Sequence, residues 1–368
     1  MLRVILIALS LLGFVSACAA DMPDAELARR IRVPAGFQIH IFARGLSGPR
    51  FMTVGPDGMI YVSLPNKGAV ARLRDDGGGK VVAETVINNL DRAHGLAFHD
   101  GKLYVAGTRS IWRVDRMRDG ASAGQATPIV SNLPDGGHST RTIVFGADGK
   151  LYVSIGSSCN VCKEKDPRRA AVVRYNADGT GEDIFATGLR NSVGLAWHPT
   201  TKELWGTDNG RDMLGDDVPP DEINIIRQGQ NYGWPNCYAD RVPDAEFGSP
   251  EFCRKTEPPV AKLQAHSAPL GLAFYTGTQF PKEYHGDLFV AFHGSWNRSK
   301  KTGYKVVRLR IGNGRVNDVR DFITGWLSPD GREEVLGRPV DLVVGKDGGL
   351  YLSDDAAGVI YRIGYRGN

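Results

Sequence analysis

Basic and imidazole side chains recur at one position of a repeated pattern in this sequence, directly before a short apolar run. They are Arg50, His94, His138 with Arg141, Arg190 with Asn191, His266 and Arg338. If each apolar run is an inner strand of a closed fold, these side chains meet at one opening. Like charges in a narrow channel repel unless an anion lies among them, and arginine binds planar carboxylates in bidentate fashion. The pattern therefore predicts a site for a small, multiply anionic ligand, whereas one such residue alone is usually a turn residue with satisfied hydrogen bonds.

His138 is the candidate general base of such a site. It follows two glycines, so the backbone can turn sharply and present the imidazole at the mouth of the third apolar run. An imidazole with a reference pKa of about 6.5 accepts a proton near neutral pH. A structural histidine that bridges turn carbonyls is the alternative interpretation.

Carboxylates gather where the interval between repeats is longest, at 211–262 and just before it. They are Asp208, Asp212, Asp216, Asp217, Asp221 and Glu222, and the turn Asn231 to Asn236 follows them. Carboxylates and loop carbonyls are the oxygen ligands of a hard cation such as Ca²⁺. The sequence has no EF-hand spacing, and an acidic loop exposed to solvent is the alternative.

The elements that must position these residues are six copies of a polar turn followed by an alternating run. The copies lie at 55–64, 98–107, 146–156, 198–210, 284–294 and 345–355. An Asp-Gly turn between alternating runs is a strong hairpin signal, and four-stranded units of about 40–50 residues are typical of propeller blades. The sequence predicts an all-β, six-bladed β-propeller, in which Ile31 to Arg44 pairs with the last blade to close the ring.

The composition agrees with this fold class. Of the 368 residues 42% are apolar, and 46 glycines with 20 prolines suit many short strands and turns. The net charge of +4 is mild, and no basic stripe with interleaved aromatics is present. Nucleic acid is therefore not an expected partner.

The first 20 residues have the features of a secretory signal. A basic start precedes an apolar stretch from Val4 to Val15 and small residues up to Ala20, and the stretch is too short to span a membrane. We expect a signal peptide at 1–20 and a single propeller domain at 21–368 of an exported, periplasmic protein. Lipidation of Cys18 is the alternative, in which case that residue alone attaches the protein to a membrane.

Four further cysteines, Cys159, Cys162, Cys237 and Cys253, follow the leader. An even number in an exported protein indicates disulfides. Of the three connectivities, we predict Cys159–Cys162 and Cys237–Cys253. A lysine follows Cys162 where haem attachment needs a histidine, and a zinc site needs a second pair at suitable spacing. A redox-active Cys159–Cys162 pair remains the alternative.

Several motifs, taken in order, resemble the soluble pyrroloquinoline quinone (PQQ)-dependent glucose/aldose dehydrogenases. They are Gly136-Gly137-His138, Gly188-Leu189-Arg190-Asn191, Asp221-Glu222-Ile223-Asn224, Gly229 to Pro235 and Gly337-Arg338-Pro339. The segments Ser157 to Cys162 and His293 to Lys300 look closer to the sorbosone dehydrogenase branch of that family. Each motif alone is a weak signal, but the ordered set over about residues 30–365 is specific.

The resemblance implies a role for individual residues. The catalytic base it implies is His138. The PQQ-binding residues it implies are Arg190, Asn191, Arg338 and Lys301, with Arg298 and Lys300 as alternatives to Lys301.

The resemblance also implies a Ca²⁺ ion, held by Glu222 and the main-chain oxygen of Tyr232. The sequence departs from the family at two positions. Val193 stands where the glucose enzymes place a glutamine, and Ser157 stands where an acidic residue is expected. The resemblance therefore does not name the partner that orients His138.

The predicted function is that of a periplasmic quinoprotein dehydrogenase. It oxidises an aldose sugar or a sugar-derived aldehyde such as sorbosone with PQQ and Ca²⁺, and passes the electrons to an external acceptor. One alternative is a Ca²⁺-dependent propeller lactonase or esterase, which explains Glu222 and Asp208 but not the converging arginines. A non-catalytic propeller that binds a protein or a glycan is the other alternative, and its expected exposed aromatics are reduced to Trp296 and Trp326.

Overall fold

Each copy of the repeat forms a four-stranded antiparallel sheet in the computed structural model of the protein. The structure describes residues 24–77, 80–115 and 125–367. The predicted leader at 1–20, Cys18 included, lies outside these residues. The six sheets confirm the all-β, six-bladed β-propeller.

The blades are numbered in chain order, and their strands are given from the channel outwards. Blade 1 consists of Met52–Val54, Ile60–Leu64, Ala69–Asp75 and Val81–Ile87, blade 2 of Gly95–His99, Lys102–Ala106, Ile111–Val114 and Ala126–Val130, and blade 3 of Arg141–Phe145, Leu151–Ile155, Ala171–Tyr175 and Asp183–Thr187. Blade 4 consists of Leu195–Trp197, Leu204–Asp208, Asp221–Ile226 and Ala261–Leu263, blade 5 of Pro269–Phe274, Leu288–Phe292, Lys305–Gly312 and Arg315–Ile323, and blade 6 of Pro339–Val344, Leu350–Asp354, Val359–Tyr365 and Phe37–Ala43. The innermost strands of successive blades contact one another around the whole ring.

The N-terminal strand Phe37–Ala43 closes the ring as predicted. It is the outermost strand of blade 6 and pairs antiparallel with Val359–Tyr365. Phe37 is buried, and its ring lies edge-on at 4.8 to 5.1 Å from four aromatic rings of blades 5 and 6. Burying such a ring contributes about 1.5–3 kcal/mol. The first and last parts of the chain are therefore held together by main-chain pairing and by an aromatic cluster.

The Asp-Gly turns of the repeat are stabilised by their own side chains. In blade 3, Asp148 accepts a hydrogen bond from the main chain of Lys150 at 3.1 Å and from the Tyr152 hydroxyl at 2.9 Å. Gly149 between them has φ of +69°, a conformation that favours glycine. The aspartate-to-tyrosine hydrogen bond recurs in blades 1 and 6, which explains why the turn and the following strand repeat as one unit.

An apolar plug of four residues lies at the start of the inner strands. It consists of Phe51, Val193, Leu270 and Val340, all buried, which precede or begin the inner strands of four blades. Val193, the residue that departs from the family's glutamine, is part of this plug.

The long interval after blade 4's second strand carries the predicted insertion. A short hairpin of Cys237–Tyr238 with Val242–Pro243 and the helix Pro250–Cys253 precede the last strand of that blade. A second helix, Asp24–Arg30, packs Leu27 into the core of blades 5 and 6. No helix in the described residues is long and apolar enough to cross a membrane.

Both predicted disulfides are present. Cys159–Cys162 closes a loop beside blade 3, and Cys237–Cys253 ties the hairpin of the insertion to its helix. The paired sulfurs rule out thiolate zinc ligands at these positions.

The two disulfides close loops of different length. The free energy of unfolding that is lost when a disulfide is removed should be larger for the longer loop. Cys237 and Cys253 are 16 residues apart, so replacing both with serine should lower the free energy of unfolding by about 3 kcal/mol. The same exchange at Cys159 and Cys162 should cost about 2 kcal/mol, because the loop is shorter. Urea unfolding of the two double variants measures this, and an equal or reversed order would contradict it.

Candidate active site

The start of each innermost strand and the end of the next strand lie at the same edge of a blade, because the two strands are antiparallel. At this edge a cavity of about 480 Å³ opens at the channel mouth. The charged and imidazole side chains that line it are Arg50, Arg92, His94, His293, Arg338 and Asp355. Arg50, His94 and Arg338 therefore meet at one mouth, as their place in the repeat predicted.

Of the described residues that line this cavity, Asp355 alone carries a carboxylate. Arg50 Nη1 donates to its Oδ2 at 2.6 Å, and His293 Nε2 lies 2.9 Å from its Oδ1. Burial alone would raise the pKa of Asp355, but His293 and Arg50 hold the pKa well below its usual range. An ionised carboxylate only accepts hydrogen bonds, so His293 Nε2 carries a proton and Arg50 is fixed in place.

Arg338 is held at the mouth by main-chain oxygens. Its Nε donates to the carbonyl of His293 at 3.0 Å, and its Nη2 donates to that of Gly294 at 2.9 Å. The guanidinium carbon lies 5.7 Å from the centroid of the Tyr304 ring, within cation–π range. Its Nη1 has no partner among the described residues, so one side of the guanidinium remains available to a ligand.

The hydrogen bonds around His138 define its tautomer. Nδ1 lies 2.9 Å from Ser157 Oγ and 3.1 Å from the Ser157 carbonyl, while Ser157 Oγ lies 2.7 Å from the Cys159 carbonyl. The Ser157 carbonyl also accepts from the His138 main-chain amide at 2.9 Å. The serine hydroxyl donates its single proton to the Cys159 carbonyl, so its oxygen can only accept from the ring, and Nδ1 carries the proton that is donated to Ser157. Nε2 is then the unprotonated nitrogen, as a general base requires.

The surroundings of His138 keep it neutral. Burial lowers its pKa to about 4, and the nearby cations Arg190, Arg169 and Arg141 add to the effect. This is below the ordinary value on which the sequence prediction rested. His138 is therefore a weaker base than expected, but it is unprotonated throughout the neutral range.

Arg141 does not face the mouth, although its place before the strand suggested that it would. Its side chain is fully buried and donates to the carbonyls of Pro134, His138 and Thr140. It therefore braces the turn that carries His138. The Arg141 carbonyl in turn accepts from His94 Nδ1 at 3.1 Å, and His94 Nε2 is buried without a partner among the described residues.

Arg190 and Asn191 lie next to His138. A Cβ atom on Gly156 would fall 2.5 Å from His138 Cβ and 2.8 Å from Asn191 Oδ1, so only glycine fits between them. The main-chain amides of Arg190 and Asn191 donate to Asp208 at 3.0 and 2.7 Å.

All five N–H groups of Arg190 already have protein acceptors. These are the carbonyls of Asn160, Asn209 and Gly210 and the side chains of Asn160 and Asp212. Arg190 thus joins the Cys159–Cys162 loop to the loop after blade 4's second strand.

The structure does not bring Lys301 or Arg298 to the cavity. Lys301 is exposed, and its Nζ donates to the carbonyl of Glu333 at 2.9 Å. Arg298 donates to the Asp216 carbonyl and, at 3.0 Å, to the Asp217 side chain. Lys300, their alternative, is exposed in the same loop. His266 likewise points to a loop, with Nε2 at 2.8 Å from the carbonyl of Gly215.

Glu222 and Tyr232, the residues implied for Ca²⁺, line one small cavity of about 20 Å³, which has room for one ion. Asp208 and Asp244 line it too. Burial, together with the neighbouring Asp208, raises the pKa of Glu222 to about 8. When burial and a neighbouring carboxylate raise the pKa of a carboxyl group in this way, a bound cation stabilises its ionised form. Glu222 Oε1 and Oε2 accept from Ala239 N and Asn224 Nδ2 at 2.8 and 3.1 Å, which leaves a lone pair on each oxygen for a cation.

Sequence reasoning missed His293, Asp355 and Arg92 as residues of the mouth. A signal was available for the first two. The residue after the second strand of a blade lies beside the residue before the first strand, and His293 and Asp355 directly follow the second strands of blades 5 and 6. Arg92 lies two residues before His94, outside the repeat position, and no pattern marks it.

Fold and mouth together define a six-bladed propeller with a cationic, histidine-bearing site at one end of the channel. The chain belongs to the TrAA12-like family, whose sequence model matches residues 31–366. This confirms the family-level resemblance drawn from the motifs.

Individual relatives extend over most of the chain. A protein of unassigned function from Borreliella burgdorferi is 34% identical over 92% of both chains. A "Pyrroloquinoline quinone-dependent sugar dehydrogenase" from Hypocrea jecorina is 26% identical over 89% of this chain and 87% of its own. The calcium structure of the Trichoderma reesei enzyme of Carbohydrate-Active Enzymes Family AA12 has a TM-score of 0.79 at 24% identity, covering 92% of this chain and 97% of that one. This last likeness shows the shared fold.

The tautomer of His138 can be measured by NMR in the protein without ligand. We expect the ¹⁵N shifts to show Nδ1 protonated and Nε2 unprotonated, with the ring still neutral at about pH 5 because its pKa lies well below the ordinary value. His138→Gln identifies the resonances. An Nε2-protonated ring in the wild-type protein would contradict the assignment.

The same spectra test the role of the serine. Ser157→Ala removes the shorter of the two contacts to Nδ1, so the share of the other tautomer should rise. Ser154→Ala is the matched control, since this buried serine accepts from the Thr142 amide instead. Equal effects of the two exchanges on His138 would rule out a specific role for Ser157.

Proposed function

We propose that the protein is a PQQ-dependent sugar dehydrogenase. The observation that carries this proposal is the cation-lined cavity at the channel mouth together with His138, which directly precedes two residues of its lining, Ser139 and Thr140. The relatives from Hypocrea jecorina and Coprinopsis cinerea, named PQQ-dependent sugar and pyranose dehydrogenases, support it, although the chain spans 56% of the second.

The residues of the mouth fit a polyanionic cofactor. Arg50, Arg92 and Arg338 face one carboxylate, which is already engaged. This excess positive charge favours a ligand with several carboxylates, and PQQ carries three. When bound, PQQ supplies the two-electron acceptor for the reaction.

The protein's own contribution to the chemistry centres on His138. Nδ1–H is held by Ser157, so Nε2 is ready to take the proton of a substrate hydroxyl. The brace from Arg141 to the His138 carbonyl at 2.9 Å limits movement of the turn. Asn191 beside the imidazole adds an amide that can orient a substrate or cofactor oxygen.

The finer features of the proposal concern substrate, acceptor and compartment. We infer an aldose or a sugar-derived aldehyde of the sorbosone type as substrate, with an external electron acceptor and a periplasmic location. Two disulfides support an oxidising compartment. Lipidation at Cys18 remains the alternative to a cleaved leader. A propeller lactonase would leave the three arginines of the mouth unexplained.

We further propose that Ca²⁺ binds in the small cavity of Glu222 and Tyr232. Three carboxylates line this cavity, those of Asp208, Glu222 and Asp244, and so do two arginines, Arg190 and Arg211. Asp221 is buried next to Glu222 in the same strand. Among the described residues, the group of three ligand side chains with mutually close donor atoms is Cys159, Cys162 and Glu164, whose sulfurs form a disulfide. The Ca²⁺ site therefore depends on the main-chain oxygens of its loops.

Reconstitution tests the function directly. The purified protein is given PQQ and Ca²⁺ and then sugars, and the absorption spectrum is followed. We expect the reduced-quinone spectrum to appear with an aldose or a sugar aldehyde.

His138→Gln should bind PQQ and Ca²⁺ equally well yet lose about 10²–10⁴-fold in kcat, the scale of general-base removal.

The outcomes separate the proposals. Failure of the wild-type protein to bind PQQ would overturn the dehydrogenase. Near-normal turnover in folded, PQQ-loaded His138→Gln would remove His138 from the mechanism and leave the dehydrogenase intact.

The calcium site is tested by thermal unfolding without PQQ. At a free Ca²⁺ concentration about 100 times its Kd, the ion should add about 2.7 kcal/mol of stability and raise Tm. Glu222→Gln should abolish this rise, whereas Glu203→Gln, an ion-paired glutamate directly before the neighbouring strand Leu204–Asp208, should retain it. A rise of equal size in Glu222→Gln would place the ion elsewhere.

A further inference from the structure

Large apolar side chains are exposed at seven described positions, and four of these positions lie in two loops. The seven are Met213, Leu214, Val218, Val242, Phe252, Trp296 and Val319. The first loop, 209–220, follows the second strand of blade 4, and the other, 293–304, follows the second strand of blade 5. Trp296 is 71% exposed, more than any other member of the set. Single exposed apolar residues need no explanation, whereas a concentration of them marks an interaction site.

Contacts between the two loops fix their relative position. The carboxylate of Asp216 accepts hydrogen bonds from the main-chain amide of Ser299 at 2.9 Å and from the hydroxyl of the same residue. Arg298 Nη2 donates to the Asp217 side chain at 3.0 Å. Arg298 thus holds the two loops together. The loop that carries Trp296 is braced by its neighbour, which lowers the entropy lost when a ligand binds to it.

Trp296 stands at the rim of the channel mouth. Two residues before it, the carbonyl of Gly294 accepts from Arg338 Nη2 at 2.9 Å, and Arg338 lines the mouth cavity. His293, directly before Gly294, lines the same cavity, whereas Trp296 does not. The main chain that leads to Trp296 is therefore part of the cavity wall, and the exposed indole lies just outside it.

Polar side chains lead from this rim towards His138. Asn297 Nδ2 lies 3.5 Å from Asp212 Oδ1, and Asp212 Oδ2 lies 3.2 Å from Arg190 Nη2. Arg190 in turn is close enough to His138 to lower the pKa of the imidazole. Asn297 Oδ1 accepts no hydrogen bond from the described residues, so this oxygen can accept from a ligand hydroxyl. A ligand that extends from His138 out of the mouth towards blades 4 and 5 passes these groups.

An exposed indole with an amide beside it suits a sugar ring. The C–H face of a pyranose packs against an aromatic face, and its hydroxyls need hydrogen-bond partners around the edge. Trp326, the other tryptophan that the sequence suggested as exposed, is fully buried, so of the two Trp296 alone can bind a ligand. A protein partner fits less well, because a stable protein interface takes about 20–30 residues a side.

We propose that Trp296 is a second sugar subsite and that the protein takes neutral oligosaccharides as substrates. The aldose ring at the reducing end enters the mouth towards His138, and the next ring stacks on the Trp296 indole with a hydroxyl bound to Asn297. This inference rests on the proposed function. The subsite contributes binding alone, because the ring that it holds does not react.

Steady-state kinetics of the protein loaded with PQQ and Ca²⁺ test the inference with glucose and with maltotriose. Trp296→Ala should raise KM for maltotriose about threefold to tenfold, the range for one aromatic contact, and leave kcat nearly unchanged, as expected when uniform binding is lost. KM for glucose, which has no second ring, should stay the same. Trp296→Phe keeps an aromatic face and should retain most of the maltotriose affinity.

Phe252→Ala is the matched control. It removes another exposed aromatic side chain, from the helix Pro250–Cys253 outside the two loops. This exchange should leave KM for both sugars unchanged.

Fluorescence tests the subsite in the protein without PQQ. Of the six tryptophans, Trp296 alone is exposed, so quenching by acrylamide reports mainly on its indole. Maltotriose should shield the wild-type protein from acrylamide and glucose should shield it less, whereas Trp296→Phe should show no shielding with either sugar.

The outcomes keep the subsite and the proposed function apart. If the wild-type protein oxidises glucose and Trp296→Ala raises KM for maltotriose no more than Phe252→Ala does, the subsite is overturned and the dehydrogenase stands. An equal rise of KM for glucose and maltotriose would place Trp296 against the reacting ring and also overturn it. A loss confined to reactions with a protein as electron acceptor would make Trp296 a docking surface instead. If the wild-type protein does not bind PQQ, the proposed function itself fails, and the shielding by maltotriose alone decides whether the subsite stands.

Discussion

Closing six twisted sheets around one axis forces the starts of six inner strands into a mouth only a few side chains wide. The closure depends on Phe37–Ala43 pairing with Val359–Tyr365 and on the apolar plug that includes Phe51 and Val193. Once the ring is closed, the residues just before the inner strands lie around one mouth, and the side chains of Arg50, His94 and Arg338 line one cavity there. Repulsion among the cations there is relieved either by internal acceptors or by a bound anion. The functional site is thus a consequence of the architecture.

The sequence was sufficient for the parts of the protein that repeat. The Asp-Gly turns, which are reinforced by contacts such as Tyr152 to Asp148, fixed the phase of the strands and hence placed Arg50, His94 and Arg338 at the mouth. Both disulfides followed from cysteine count and spacing. The repeated turns and strands can be predicted because the same local hydrogen-bond pattern determines each copy.

The parts of the site that depend on irregular loops could not be predicted. Arg141 follows the same rule of position as Arg50, yet the turn before it places three carbonyls around its guanidinium, and it turns inwards. Arg190 is captured by carbonyls of the loops at 160 and 209–210. Lys301 is held by the carbonyl of Glu333. In each case the partner comes from a segment outside the repeat, so position alone does not determine direction.

The exchange of an acidic residue for Ser157 changes how His138 works as a base. A carboxylate at that position would stabilise the imidazolium, whereas a neutral hydroxyl and carbonyl orient the ring without adding charge. Burial, and after it the nearby Arg190, Arg169 and Arg141, lower the pKa of His138 to about 4. Burial and the surrounding cations thus keep His138 unprotonated throughout the neutral range, and the fixed position of its ring, rather than a high basicity, suits it to accept a proton.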